Sequence, residues 1–129
     1  MNKVVHFEIP FDDAERAKKF YSEVFDWGIQ DMPEMEYVVA RTAETDDNFM
    51  VKEPGAINGG MYKRSEGLAQ SPVLVIDVPS LDAHLEKVTA AGGKVTREKT
   101  EVGDMGLYAQ VEDPEGNIIG IWEDLQKKG

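Results

Sequence analysis

The stretch Val4–Ile9, which reads VVHFEI, alternates loosely between apolar and polar residues and stops at Pro10. Alternation that ends at a proline is typical of a β-strand. Asp12 and Glu15 then form the D-x-x-E pattern that begins many helices. Apolar residues recur behind them at helical spacing: Ala14, Ala17, Phe20, Tyr21, Val24 and Phe25. We therefore expect a strand and then a helix that Gly28 ends, with the aromatic residues of this set in the helix core.

The second half of the chain repeats this order. Residues 72–78 form a β-branched run, Pro79-Ser80 leads into a second apolar stripe, and Gly92-Gly93 closes it. Further strand-like runs lie at residues 37–41, 57–63, 94–99, 107–112 and 117–123. Near the last strands the two halves match position by position: Pro54, Gly60, Met61 and Tyr62 of the first half correspond, at one constant spacing along the chain, to Pro114, Gly120, Ile121 and Trp122 of the second. Each half thus reads strand, helix, then three strands.

A repeated unit of this kind predicts an α+β fold of two βαβββ modules, residues 1–66 and 67–129. Each module has a sheet with one face covered by its helix, so the other, curved face must be buried elsewhere. We expect the two curved sheets to enclose a cavity. The length of 129 residues suits one domain, and no linker rich in Pro, Gly or Ser separates the halves. Residues 1–129 are therefore expected to form a single domain.

The connection 42–56 is long for a compact domain. It is acidic, yet it carries the apolar trio Phe49-Met50-Val51. Long connections are often functional, which makes a lid over a ligand one interpretation. A short additional strand or a contact in a dimer are the others.

The charge and composition exclude several classes of function. The 14 Lys and Arg stand against 25 Asp and Glu, a net charge of −11. Nucleic acids and anionic membranes need a cationic footprint, so we expect neither as a partner. The chain has no Cys, which rules out disulfides and thiolate catalysis. No apolar run approaches the roughly 20 residues of a membrane span, and residues 1–11 lack the layout of a signal peptide. We expect a cytoplasmic protein.

Four segments carry a family resemblance: Val5–Pro10, the helix end Phe20–Gly28, Gly92–Val95 and Val111–Asn117. In their order and spacing the chain resembles the glyoxalase, bleomycin-resistance and extradiol-dioxygenase superfamily, also called the vicinal oxygen chelate proteins. Two further segments, Asn58–Met61 and Asp113–Ile121, resemble its bacterial and archaeal group of glyoxalase-related proteins. The resemblance implies paired βαβββ modules, often in a homodimer, with a small-molecule site inside the curved sheet.

Metal-dependent members of this family bind a divalent ion through four side chains, taken from the first and last strands of each module. The resemblance places those positions at His6, Gly60, Val73 and Gly120. Only His6 offers a lone pair, whereas a catalytic metal normally needs about three protein ligands. We expect no metal and no other cofactor. The alternative is a divalent ion held by His6, Glu8 and a third residue that the strand alignment misplaces.

Strand alternation points His6 and Glu8 into the cavity, which makes them the catalytic candidates. An imidazole titrates near neutral pH, and a neighbouring carboxylate can tune it. The alternative interpretation is a histidine that only forms hydrogen bonds and a carboxylate solvated at the cavity mouth. The candidate ligand-binding residues lie on neighbouring strands: Tyr62, Trp122, Tyr108, Gln110, Gly60 and Gly120. The aromatic ones are equally compatible with ordinary packing, and the glycines mark close approach of a ligand or another backbone.

Three functions remain open on the sequence. The first is a metal-free protein that binds a small organic molecule, with proton transfer next to a carbonyl by His6 or Glu8 if it is an enzyme. The second is a metal-dependent lyase or isomerase related to lactoylglutathione lyase. The third is sequestration of a bulky cationic drug or metabolite by an acidic dimer, in the manner of bleomycin-resistance proteins.

Overall fold

A computed structural model describes residues 1–47 and 50–126, and within them eight strands form one mixed sheet in the order β2-β3-β4-β1-β5-β8-β7-β6. The strands are β1 (Val4–Phe11), β2 (Gly28–Met32), β3 (Tyr37–Arg41), β4 (Gly59–Lys63), β5 (Val73–Asp77), β6 (Lys94–Val102), β7 (Gly106–Glu112) and β8 (Ile118–Asp124), and the helices are α1 (Ala14–Phe25) and α2 (Leu81–Ala90). The α+β fold of two βαβββ modules is confirmed. Strands β1 and β5 pair antiparallel and join the two modules at the centre of the sheet.

The end of α1 differs from the prediction. The helix stops at Phe25, and Asp26 takes a left-handed conformation with φ 60°. Gly28 does not end the helix but begins β2, an edge strand that completes the three strands expected after α1 but to which the sequence pattern assigned no residues. An edge strand is paired on one side only, so its sequence needs less apolar character.

The start of α1 differs as well, by one residue. The side chain of Asp13, not that of Asp12, accepts a hydrogen bond from the backbone N–H of Arg16 at 3.1 Å. Asp12 instead forms an ion pair with Arg64 at 3.0 Å. The second helix begins as predicted, because Ser80 caps it through the backbone N–H of Ala83.

The two helices cover the same face of the sheet, each over its own module. Under α1 the buried residues are Phe11, Val38 and Met61, and under α2 they are Val78, Leu81, Ala109, Val111 and Ile121. Burial of these apolar side chains is the main force that holds each helix on the sheet. The opposite face of the sheet, called the inner face below, carries the candidate functional residues.

The expectation of an aromatic core in α1 is wrong for two of its three rings. Phe20 and Phe25 are 52% and 55% exposed. Only the narrow stripe Ala14, Ala17 and Tyr21 packs against the sheet, because a helix on a sheet buries about one third of its circumference. The rings contact one another instead, and Tyr21 stacks on Trp27 at 4.9 Å between centroids. The homodimer stays a prediction.

The connection 42–56 contains an isolated antiparallel bridge between Thr45 and Val51. Met50 is 64% exposed, and Phe49 lies outside the described residues. A lid or a dimer contact at this connection stays a prediction. In the described part of the chain no helix is long and apolar enough to span a membrane.

Candidate functional site

Strand β1 carries His6 and Glu8 on the inner face, as the alternation predicts. Glu8 lies opposite Gly60 of β4 on one side and opposite Val73 of β5 on the other. Its side chain is only 6% exposed. The carboxyl group is therefore buried at the centre of the sheet, and the solvated carboxylate at a cavity mouth is not what the structure shows.

Two tyrosine hydroxyls satisfy this buried carboxyl group. Tyr37 donates to Glu8 Oε2 at 3.0 Å, and Tyr108 donates to Glu8 Oε1. The other contact of the Tyr37 hydroxyl is His6 Nε2, at 2.8 Å. Because the single proton of Tyr37 is directed to Glu8, His6 Nε2 is assigned as the donor, which places the lone pair of the neutral imidazole on Nδ1.

The second ring nitrogen of His6, Nδ1, has no partner among the described residues. None of the buried side-chain nitrogens or oxygens of those residues lacks a partner. Nδ1 is therefore accessible to solvent. A chain of hydrogen bonds runs from this accessible nitrogen through Tyr37 to Glu8 in the interior.

Burial sets the protonation of these groups. It lowers the pKa of His6 to about 4, so the imidazole is neutral at physiological pH. It raises the pKa of Glu8, although the hydrogen bonds from Tyr108 and Tyr37 and the charge of Arg97 act in the opposite direction. Burial and the nearby carboxylate raise the pKa of both tyrosines, so their hydroxyls stay protonated. Glu8 is thus the acid–base group of the network whose pKa moves towards neutrality.

Glycine at position 60 is what admits the Tyr37 ring. A Cβ atom at Gly60 would lie 2.0 Å from the Tyr37 hydroxyl oxygen and 2.1 Å from Cζ. In the second module, a Cβ atom at Gly120 would lie 3.0 Å from the Tyr108 hydroxyl oxygen. The close approach that these glycines predict is therefore an approach of the chain's own tyrosine rings. At two of the positions to which the resemblance assigns metal ligands, a phenol ring of the chain lies against a glycine.

Tyr37 was not among the sequence candidates. The feature that could have identified it is the pairing of β3 with β4, in which Tyr37 lies opposite Tyr62 and Val39 lies opposite Gly60. Tyr37 therefore projects from the same face as Gly60, diagonally across from it, and a ring beside a glycine fills the vacant space. The same relation holds in the second module, where Tyr108 lies opposite Trp122 and Gln110 lies opposite Gly120.

The remaining candidates hold a segment of the chain against the inner face. Gln110 is 1% exposed; its Nε2 donates to the Tyr108 hydroxyl at 2.8 Å, and its Oε1 accepts from the backbone N–H of Ala69 at 2.9 Å. Tyr62 donates to the carbonyl of Ala69 at 2.7 Å. Trp122 packs with Ala69 in the same apolar cluster. The polar atoms of Tyr62 and Gln110 are thus engaged by the connection between β4 and β5.

The residues present do not fit a catalytic divalent ion. Within residues 1–47 and 50–126, no group of three or more His, Cys, Asp or Glu side chains lies close enough to hold a metal. Gly60, Val73 and Gly120 offer no donor, and both carboxyl oxygens of Glu8 already accept tyrosine hydroxyls. Glu123 of β8 does not substitute, because its Oε1 accepts from the N–H of Leu81 at 2.7 Å. The absence of a metal cofactor stays a prediction.

Two open grooves lie on the first module. The smaller has a volume of about 150 Å³ and is lined by Gly28, Ile29, Gln30, Val39 and Arg41. The larger has a volume of about 510 Å³ and is lined by Phe11, Asp31, Pro33, Glu36, Tyr37, Val38 and Lys63. The smaller groove includes inner-face residues of β2 and β3.

Comparison with known proteins gives a consistent set of relatives. The profile of the bleomycin resistance protein-like N-terminal family matches residues 3–43. The lactoylglutathione lyase of Haemophilus influenzae is 31% identical over 98% of this chain and 96% of its own length. A glyoxylase-like domain-containing protein of Didymella fabae is 33% identical over 88% of each chain. The chain spans 41% of a longer relative at 29% identity, a candidate glyoxylase of Mycobacterium bovis.

Solved structures share the fold. A glyoxalase/bleomycin resistance protein/dioxygenase superfamily member from Vibrio splendidus superposes with a TM-score of 0.61 at 17% identity, over 96% of this chain and 100% of the other. Methylmalonyl-CoA epimerase of Streptomyces coelicolor, in complex with 2-nitronate-propionyl-CoA, gives a TM-score of 0.64 at 12% identity, over 100% and 99%. At these identities the structural matches show a common fold.

Proposed function

The chain belongs to the glyoxalase/bleomycin resistance/dioxygenase superfamily, and from that premise we propose that it binds a small organic molecule on the inner face of its sheet. We propose further that the chain His6–Tyr37–Glu8 transfers a proton at a carbon next to a carbonyl, without a bound metal ion. One observation carries this proposal: a buried carboxyl group is linked by hydrogen bonds to an accessible imidazole nitrogen.

The three residues divide the work of moving a proton. His6 Nδ1 accepts a proton from the ligand carbon while His6 Nε2 gives its proton to Tyr37, and Tyr37 gives its own to Glu8 Oε2. The imidazole changes tautomer but never holds a net charge, which suits a pKa of about 4. Glu8, whose pKa burial raises, stores the proton. The electron pair left on the ligand moves to the carbonyl oxygen as an enolate, and reversal of the steps returns the proton to carbon.

The relatives support a small organic ligand. The relative from Haemophilus influenzae is a lactoylglutathione lyase, and the Streptomyces coelicolor protein of the same fold holds 2-nitronate-propionyl-CoA. At the positions where metal-dependent members have ligands, by contrast, Gly60 and Gly120 contribute no ligand atom. This supports catalysis by the side chains of the protein without a metal ion.

Exchange of carbon-bound hydrogen in D₂O tests the proposal. Protein dialysed against a chelator is mixed with small ketones, oxo acids and their amides, and proton NMR follows loss of signal next to the carbonyl. Wild-type protein should accelerate exchange for at least one compound, and Glu8→Gln should reduce the rate by about 100-fold or more, the usual contribution of a general base. Glu86→Gln, on the exposed side of α2, is the matched control and should exchange at the wild-type rate.

Other outcomes point to the other functions. One tightly bound divalent ion per chain, with exchange lost on its removal, would refute the metal-free proposal in favour of a metal-dependent lyase or isomerase. Thermal stabilisation by bulky cationic compounds without any exchange would indicate sequestration.

A further inference from the structure

The strand register places Arg41 in one row with His6. Val39 of β3 lies opposite Gly60 of β4, which lies opposite Glu8 of β1. Moving two residues along each strand brings Arg41 and His6 into the next row, on the same face, since side chains two apart share a face. Two strand spacings separate them, which amounts to about 10 Å between their backbones. Arg41 is therefore the cation on β3 that shares the inner face with the proton-transfer residues.

A groove opens beside Arg41 on this face. Arg41 and Val39 line the groove of about 150 Å³ together with Gln30 and Gly28 of β2. Gly28 lies directly opposite Arg41, and its missing side chain leaves room beside the arginine, because a Cβ atom there would lie 3.6 Å from Arg41 Cβ. The groove thus offers a guanidinium group, a side-chain amide and an apolar wall.

The guanidinium of Arg41 has no partner in the part of the chain that the structure describes. It forms no ion pair and no hydrogen bond with any residue in the described ranges, although the chain contains 25 acidic residues. A guanidinium presents paired N–H donors that match the two oxygens of a carboxylate. A free arginine in a groove next to a proton-transfer network is suited to the charged end of a ligand.

We propose that Arg41 binds the carboxylate of a short organic acid whose carbonyl group lies against His6, so that the ligand class is a small oxo acid. This proposal rests on the function proposed above and deepens it. The row spacing limits the ligand to a short molecule, because about 10 Å separates the two backbones.

Matched pairs of an acid and its neutral amide test whether Arg41 binds a carboxylate. Pyruvate, 2-oxobutyrate and acetoacetate are each compared with the neutral amide of the same skeleton, in binding by NMR titration and in deuterium exchange. Wild-type protein should bind the preferred acid at least tenfold more tightly than its amide. Arg41→Gln should remove that preference and leave the amide unchanged, whereas Arg41→Lys should keep part of it. Arg16→Gln, at an exposed position of α1, is the charge-matched control and should retain the full preference.

Each result decides between the two proposals. Equal binding of acid and amide by wild-type protein, with exchange still catalysed, overturns the role of Arg41 and leaves the proton-transfer function standing. A preference for the acid that persists in Arg41→Gln also overturns it. Neither binding nor exchange with any compound of the set overturns both proposals.

Discussion

Gly60→Ala is the substitution that tests the site most directly. The new Cβ atom would lie 2.0 Å from the Tyr37 hydroxyl oxygen and 2.2 Å from its Cε2 atom. Carbon atoms in contact prefer separations of about 3.5–4.0 Å, so a small shift is not enough and the ring must leave its place. Its departure removes one of the two hydroxyls that donate to Glu8 and the partner of His6 Nε2.

The cost follows from these two effects. Overpacking a filled site costs about 1–3 kcal/mol, and a buried carboxyl that loses a donor costs about 1–3 kcal/mol more. Alanine in place of glycine in a strand returns about 0.5–1 kcal/mol through the unfolded state. We therefore expect the free energy of unfolding to fall by about 1–5 kcal/mol, with a middle value near 3 kcal/mol that lowers Tm by roughly 10 °C for a chain of this size.

Urea unfolding followed by circular dichroism measures the change. Gly120→Ala is the matched control in the other module: its Cβ atom would lie 3.0 Å from the Tyr108 hydroxyl oxygen and 3.0 Å from Val75 Cγ2. Shifts of a few tenths of an ångström relieve these contacts, so the cost should lie at the low end of the range of about 1–3 kcal/mol for overpacking. In a Tyr37→Ala background the Gly60→Ala change should cost nothing further. A Gly60→Ala protein as stable as wild type, or one no less stable than Gly120→Ala, would refute the close fit of ring and glycine.

Stability should also fall with acid, because burial lowers the pKa of His6 from 6.5 to about 4. The unfolded chain binds a proton at His6 first, so the contribution is complete above pH 6.5 and declines as the pH falls towards 4, by on the order of 3 kcal/mol. His6→Gln should lack this decline in urea titrations at fixed pH, and a curve parallel to wild type would contradict the assignment. Asp26→Gly should raise stability by about 0.5–1 kcal/mol, since Asp26 holds a left-handed conformation with φ 60° that glycine adopts without strain. Thermal melts measure that gain, and a lower Tm would show that the Asp26 side chain contributes more than its backbone costs.

The sequence predicted what depends on local pattern. The order of the elements follows from periodicity and turn residues, and the inward direction of His6 and Glu8 follows from the alternation of a single strand. The partners of Glu8 depend on contacts that local pattern does not contain. Tyr37 lies 29 residues away along the chain and Tyr108 lies 100 residues away. Their meeting is decided by strand order and register, which one sequence leaves open.

The sequence pattern assigned no residues to β2 and no role to Ala69, and both omissions have physical reasons. β2 is a polar edge strand, whose residues need not alternate because only one neighbour and one helix constrain them. The sequence gives no indication of the contacts of Ala69, because Ala69 binds Tyr62 and Gln110 through backbone atoms that any residue possesses. Gln110 and Tyr62 were expected to face a ligand; their side chains form hydrogen bonds with the backbone of Ala69, and their contact with a ligand stays a prediction.

The glycines at 60 and 120 restrict how this protein can change. A side chain at position 60 and the phenol of Tyr37 compete for one volume, whereas a side chain at position 120 meets Tyr108 only closely enough to require a small shift. A ligand side chain at position 60 therefore requires a simultaneous exchange at Tyr37. Either change made alone leaves this part of the inner face overfilled or hollow, so the two positions keep their packing only when they change together.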